Sequence, residues 1–73
     1  MSKLIPVSSS CIAAYRYYPE IRVLLVLFND NQSYLYFDVH KGVVAEMLAS
    51  ESIGGYFNRY IRDSYDHRQI SLD

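Results

Sequence analysis

The chain has 73 residues, of which 51% are hydrophobic, 15% aromatic and 21% charged, with a formal net charge of −1. That describes one domain near the lower size limit for folding without disulfides or metals, too apolar for a disordered chain and too charged for a membrane one. Seven basic against eight acidic residues exclude the overall basic excess of a dedicated nucleic-acid binder, so any phosphate-binding patch has to be local.

The opening "MSKLIPVSSSCIAA" superficially resembles a signal peptide, but Pro6 and three serines break its apolar run. No h-region of about 7–15 residues remains. Cys11 is the single cysteine, so no internal disulfide can form, which fits a reducing cytosol. From Ser9 to Tyr18 the residues are small, β-branched or aromatic and suit a first strand. "YPE", Tyr18 to Glu20, reads as a turn, because Pro19 lacks an N–H for a ladder and pushes Tyr18 to extended geometry.

"RVLLVLF", Arg22 to Phe28, reads as a strand apolar on both faces. Its run from Val23 to Phe28 is six residues, far short of the ~20 that cross a bilayer. A soluble, cytoplasmic chain with no membrane association is the expectation. "NDNQS" is a loop of turn-forming side chains. "YLYFDV", Tyr34 to Val39, alternates, with Leu35, Phe37 and Val39 on one side and Tyr34, Tyr36 and Asp38 on the other. Short connections make these three strands an antiparallel meander.

From Lys41 the period changes. Val43, Val44, Met47 and Leu48 fall at helical spacing, and "ASES" ends that helix. Ser52 then stands as an N-cap whose hydroxyl can accept from the Gly54 or Gly55 N–H. At 100° per residue, Ile53, Phe57, Tyr60, Ile61 and Ser64 form a core stripe, with Arg59, Arg62 and Asp66 opposite. Gly54 lies on the core side, where it allows close approach. The expected fold is therefore α+β: a three-stranded antiparallel β-meander followed by two α-helices packed on one face. Residues 1–73 form one domain, with a core of about 7–65 and a short tail at each end.

That arrangement leaves a surplus. Only one side of the second strand can face the helices, so Val23, Leu25 and Leu27, beside Tyr34 and Tyr36, are expected to lie bare and to mark an interface. Cover by the tails or by a curled sheet is the alternative.

Three stretches, covering roughly Val7 to Tyr65, carry a family likeness. "VSSSCIAAY" loosely follows V-x-S-S-x-I, "YLY" follows Y-x-Y, and "SIGGYFNRYIRDSY" follows S-x-G-x-Y-F-N-x-x-I-x-x-x-Y. On these residues the chain resembles the KTSC domain, a short module at the C-terminus of some lysyl-tRNA synthetases and in stand-alone bacterial and phage proteins. The departures are His40 where a proline often follows the third strand, a second turn without its glycine, and Arg16 where an acidic residue is frequent. What the resemblance implies is a small module of unknown activity with RNA as its suggested ligand.

Each candidate site has two readings. Tyr34 and Tyr36 form either a stacking platform for bases, flanked by Arg16 if register allows, or a cross-strand packing pair. Ser52, Gly54, Gly55 and Arg59 form either an anion site at a helix start or a tight interhelical turn. Asn58 either pins the first-strand backbone near "SSS" or bonds a ligand. The i,i+4 pairs Arg59–Asp63 and Arg62–Asp66 read as solvated ion pairs. Cys11, His40 and His67 are scattered, with neither metal spacing nor a base beside a nucleophile. No cofactor or metal is expected. The function expected is a non-enzymatic binding module for RNA. The rival is a homo-oligomeric bacterial or phage accessory protein that binds a protein partner or sequesters a small nucleotide signal.

Overall fold

The computed structural model describes residues 4–72; the first three residues and Asp73, parts of the expected tails, lie outside the described residues. The architecture is α+β, but its antiparallel sheet has five strands, in the order β1-β2-β3-β4-β5. These are β1 Ile5–Pro6, β2 Ile12–Tyr18, β3 Val23–Phe28, β4 Ser33–Tyr36 and β5 His67–Ile70. The central three are the expected meander. The outer two come from segments expected to be tails. Ile5 and Pro6 pair with Tyr15 and Ala14 at one edge, where the missing Pro6 N–H costs no ladder bond. His67 to Ile70 pair with Tyr36 back to Ser33 at the other.

Register decides which side each residue faces. Leu24 lies opposite Tyr36 and Val26 opposite Tyr34, and residues directly opposite on antiparallel strands share a face. Leu24, Val26 and Tyr36 join Ile12, Val39, Val44, Met47, Phe57 and Ile61 in one core, with Tyr34 packed against it. Tyr34 and Tyr36 therefore lie on the helix side, not beside the surplus apolar row as the alternation alone suggested. Val23, Leu25 and Leu27 do face away from the helices. That row is not bare, however: Val23 is 8% and Leu25 5% exposed, and Leu27 is half-buried. Arg16 pairs opposite Leu25, and its Nε is shut away from solvent, as expected when an arginine stem lies across apolar neighbours.

The departures from the family pattern have local roles. Asn31 adopts φ 72° in the β3–β4 turn, a left-handed geometry that asparagine tolerates where glycine is the usual choice. His40 caps helix α1, Lys41–Ala49, its Nδ1 accepting from the Gly42 N–H at 3.3 Å. Arg22 and Asp38 are left-handed too, at φ 55° and 59°. Both are exposed and approach each other at 3.7 Å, a geometry worth little in water.

Ser52 caps α2, Ile53–Tyr56, accepting from the Gly55 N–H at 3.0 Å. The helix then widens into a π-helical turn, Phe57–Ile61, closed by the Arg62 N–H donating to the Phe57 carbonyl at 2.9 Å. That i→i+5 bond advances each residue by less than an α-helix does. The stripe expected at 100° per residue therefore breaks after Phe57. Phe57 and Ile61 are buried, while Tyr60 turns out to 50% exposure. The two expected i,i+4 ion pairs do not form. Among the described residues the ion pair is Arg22–Asp38, and Arg62 instead donates to the Asn58 Oδ1 at 3.4 Å.

Candidate binding groove

The helices leave part of their own sheet face open. A groove of about 600 Å³ runs there between the π-helical turn, the β3–β4 turn and the loop before β2. Phe28, Tyr34, Tyr36 and His67 line it from the sheet, Asn58, Arg62 and Asp63 from the helical side, and Ser10, Cys11, Asn29, Asp30 and Gln32 from the loops.

The rings are interlocked. Tyr36 meets Phe57 edge-on at 5.1 Å and His67 at 5.3 Å, so this tyrosine, 3% exposed, is a floor residue closed from above and beside. Tyr34 is half-buried and stands between Phe28 and His67, with ring centroids 5.8 and 5.9 Å away. Such edge-to-face and tilted contacts each add about 0.5–1.5 kcal/mol beyond area burial, which fixes Tyr34 as a rigid surface. Burial holds the Tyr36 phenol above its ordinary value of 10.0, while the Arg62 charge pulls it back and Tyr34 and Asp63 push it up.

The groove's polar rim is mixed. It has one arginine, Arg62, against two aspartates, Asp30 and Asp63. One Asp30 oxygen accepts from the Gln32 N–H at 3.1 Å within the turn. Asn29 donates from its amide to the Ser9 carbonyl at 3.2 Å, and from its backbone to the Cys11 carbonyl at 2.9 Å. Asn29 therefore does the pinning of the serine segment that was expected of Asn58, and Asn58 is exposed on the groove rim.

Ser10, Cys11, Asp63 and His67 also meet here, a convergence that their scatter in sequence hides. They do not form a nucleophile–base pair. The Cys11 thiol lies 3.9 Å from the Ser9 hydroxyl, and His67 Nδ1 is 3.2 Å from the Tyr65 carbonyl. Among the described residues no group of three or more His, Cys, Asp or Glu side chains could hold a metal ion, and no helix is long and apolar enough to cross a membrane.

With this geometry in hand, comparison with known proteins is decisive on kinship. The family model described as the KTSC domain matches residues 8–65. This chain belongs to the KTSC domain family. A crystal structure of a KTSC domain protein from Yersinia pestis superposes with a TM-score of 0.90 at 29% identity, covering 94% of this chain and 97% of that one. A protein of Tsukamurella paurometabola is 35% identical over 92% of this chain and 97% of its own length, so the domain also occurs there essentially by itself. A lysine–tRNA ligase of Nostoc is 34% identical over 93% of this chain, which spans only 12% of the ligase.

Within this KTSC domain the candidate residues separate. Tyr34, Tyr36 and Asn58 come together in the groove. Gly54 does not join them: a Cβ there would stand 2.5 Å from the Cys11 Sγ and 2.9 Å from the Ser9 Oγ, so its role is close packing, leaving no room for an anion. Ser52 and Gly55 are occupied with each other in the cap. Arg59 lies with its Cζ 5.7 Å from the Tyr60 ring. Arg16 is on the opposite sheet face, 5.7 Å from the Tyr18 ring. Sequence reasoning missed Phe28, Arg62, Asp63 and His67 as groove residues. The KTSC motif held one pointer, because its polar Asn58 directly follows the core anchor Phe57.

Proposed function

We propose that this KTSC domain is a non-enzymatic binding module whose groove takes an unpaired nucleobase displayed by RNA. The observation that carries the reading is Tyr34, a half-buried ring held between Phe28 and His67 under a rim of hydrogen-bonding side chains. A flat apolar surface with a few polar groups at its edge suits a base, whose face stacks while its edge bonds. Stacking on such a ring contributes about 1–3 kcal/mol per base. The related segment in a ligase that by its name acts on tRNA agrees with this ligand class. The chain's charge of −1 and the two aspartates in the groove speak for capture of a base over tracking of a phosphate backbone.

The test is an amide-resolved NMR titration with short single-stranded RNA at low and at physiological salt. Signals of Tyr34, Asn58, Arg62 and His67 are expected to move together, with a shallow salt dependence. Tyr34→Ala is expected to weaken binding roughly 5- to 150-fold. RNA that leaves those signals in place at both salts removes the reading.

A second reading, self-association or protein binding through the outer sheet face, is favoured by the apolar side chains beyond the covered centre. Leu27, Ile70 and Leu72 border a depression of about 570 Å³ there, with Leu72 exposed. Mass measurement in solution at micromolar concentration tests it. A dimer that Leu27→Glu splits supports this reading, and a strict monomer counts against self-association.

A further inference from the structure

We infer that the groove selects guanine among the bases, with the Asp63 carboxylate on the base edge; this rests on the base-binding reading above. The rim groups differ in which of their hydrogen-bonding atoms are free. One Asp30 oxygen is engaged by the Gln32 N–H, and Asn29 is committed to Ser9 and Cys11. Arg62 donates to the Asn58 Oδ1, which leaves the Asn58 NH2 as a donor. Asp63 is exposed on the groove, and among the described residues nothing donates a hydrogen bond to its carboxylate.

An ionised carboxylate is acceptor-only, with two oxygens side by side. It rejects phosphate and calls for two neighbouring donors. Guanine is the one standard base that offers them, N1–H beside the 2-amino group. Adenine and cytosine set a ring-nitrogen acceptor next to their amino group, and uracil flanks its single N–H with two carbonyls. Guanine's remaining edge atom, O6, is an acceptor, and the donors that line the same helical side of the groove as Asp63 are the Asn58 NH2 and the Arg62 guanidinium. Their chemistry complements the whole O6, N1, N2 edge while the ring lies on Tyr34. Because Arg62 is the groove's one arginine, the phosphate adds little, and the guanine can come from a free nucleotide or from an unpaired RNA residue.

The experiment titrates the protein with guanosine, adenosine, cytidine and uridine monophosphates, inosine monophosphate and unphosphorylated guanosine, following the Tyr34 and Asn58 signals. Guanosine monophosphate is expected to bind roughly 5- to 150-fold more tightly than the adenosine, cytidine and uridine forms, as for one well-matched bidentate edge. Inosine, lacking the 2-amino group, falls between, and guanosine stays close to its monophosphate. Asp63→Asn, at an exposed position, keeps the fold and erases the preference. Equal binding of all bases, or a preference that survives Asp63→Asn, overturns the guanine assignment while leaving base binding in place. No response to any nucleotide or to RNA removes both. A parallel arm compares the monophosphate with an oligouridine carrying one guanosine. Tighter binding of the oligomer than of the monophosphate, absent from an all-uridine oligomer, makes RNA the carrier of the guanine. A gain shared by the all-uridine oligomer counts against guanine, and binding equal to the monophosphate makes the free nucleotide sufficient.

Discussion

Leu24 and Leu25 are neighbours in β3, at 0% and 5% exposure, yet water is kept from them by different means. Leu24 lies under two helices in a core that includes Phe57, Met47 and Ile61. Leu25 faces the other way, where its paired neighbours are Arg16 and Leu35 of its own sheet. One face is sealed by a second layer, the other by side chains lying across it. The difference teaches where this small protein has room to bind. Helices that cover only part of their face leave a groove lined by aromatic rings and charged side chains, whereas the depression on the outer face is lined by aliphatic and uncharged polar side chains alone.

The comparison breaks first at Phe57. Its ring is fully buried and meets both Phe28 and Tyr36 edge-on, at 5.4 and 5.1 Å. Phe57→Ala should cost about 3–5 kcal/mol, which equals the whole stability of a typical core at this size, about 3–5 kcal/mol. The expected outcome is a chain unfolded at room temperature by circular dichroism. A folded variant would mean that the helical layer is not what seals this face.

On the outer face the matching change is Leu25→Glu, expected to lose at least the ~2–5 kcal/mol of a leucine removed from a core. Leu27→Glu, half-buried on the same face, should cost clearly less in urea melts. Equal losses would mean that the outer centre is no better covered than its border. A milder change tests how closely the helical layer docks. Gly54→Ala places a methyl 2.5 Å from the Cys11 Sγ and should cost about 1–3 kcal/mol by overpacking. Adding Cys11→Ala should recover part of that loss, and strictly additive losses would mean the two residues do not touch.

The central meander was legible because its strands carry their own period. Tyr34 to Tyr36 alternate and Val23 to Phe28 form a continuous apolar run. The alternation expected to continue to Val39 fails, because the strand ends at Tyr36, Asp38 is left-handed and Val39 joins Tyr36 in the core. The edge strands carry no such pattern: β1 is two residues containing a proline, and β5 reads "HRQI". Each exists because a neighbouring strand offers an unpaired ladder, a non-local cause that local periodicity does not record. His67 was hidden for that reason, since only the pairing of β5 with β4 brings it to Tyr36. Arg62 was hidden differently. A wheel drawn at 100° put it opposite the core beside Asp66, on what reads as a solvent face, whereas that edge of the helical segment borders the groove, where Arg62 donates to Asn58 four residues before it. The apolar row of β3 was expected bare beside Tyr34 and Tyr36; the register with β2 and β4, which local pattern does not record, puts those tyrosines on the other face and long side chains beside the row.

The smallest expected effect concerns alkali, and it separates the two tyrosines of β4. Tyr36 is in the core and Tyr34 at the groove surface. Burial raises the Tyr36 phenol above 10.0, against the pull of Arg62, because charging it would place a phenolate among apolar neighbours. The folded value exceeds the unfolded one, so the unfolded chain releases this proton first as pH rises. The contribution to stability is therefore complete below pH ~10 and is lost as pH climbs through the folded value. Tyr56 is raised as well, again chiefly by burial and then by its hydroxyl donating to Glu46, so wild-type stability should slope downward from pH ~10 for two reasons. Tyr36→Phe isolates one of them. The hydroxyl has no hydrogen-bond partner among the described residues, so the variant should melt close to wild type at pH 8 and lose less stability than wild type toward pH 11. Arg62→Gln, by removing the opposing charge, should move the Tyr36 titration further into alkali in a 295 nm absorbance scan. An unchanged alkaline slope in Tyr36→Phe would mean that burial of the ring on the groove floor does not disfavour its charged form.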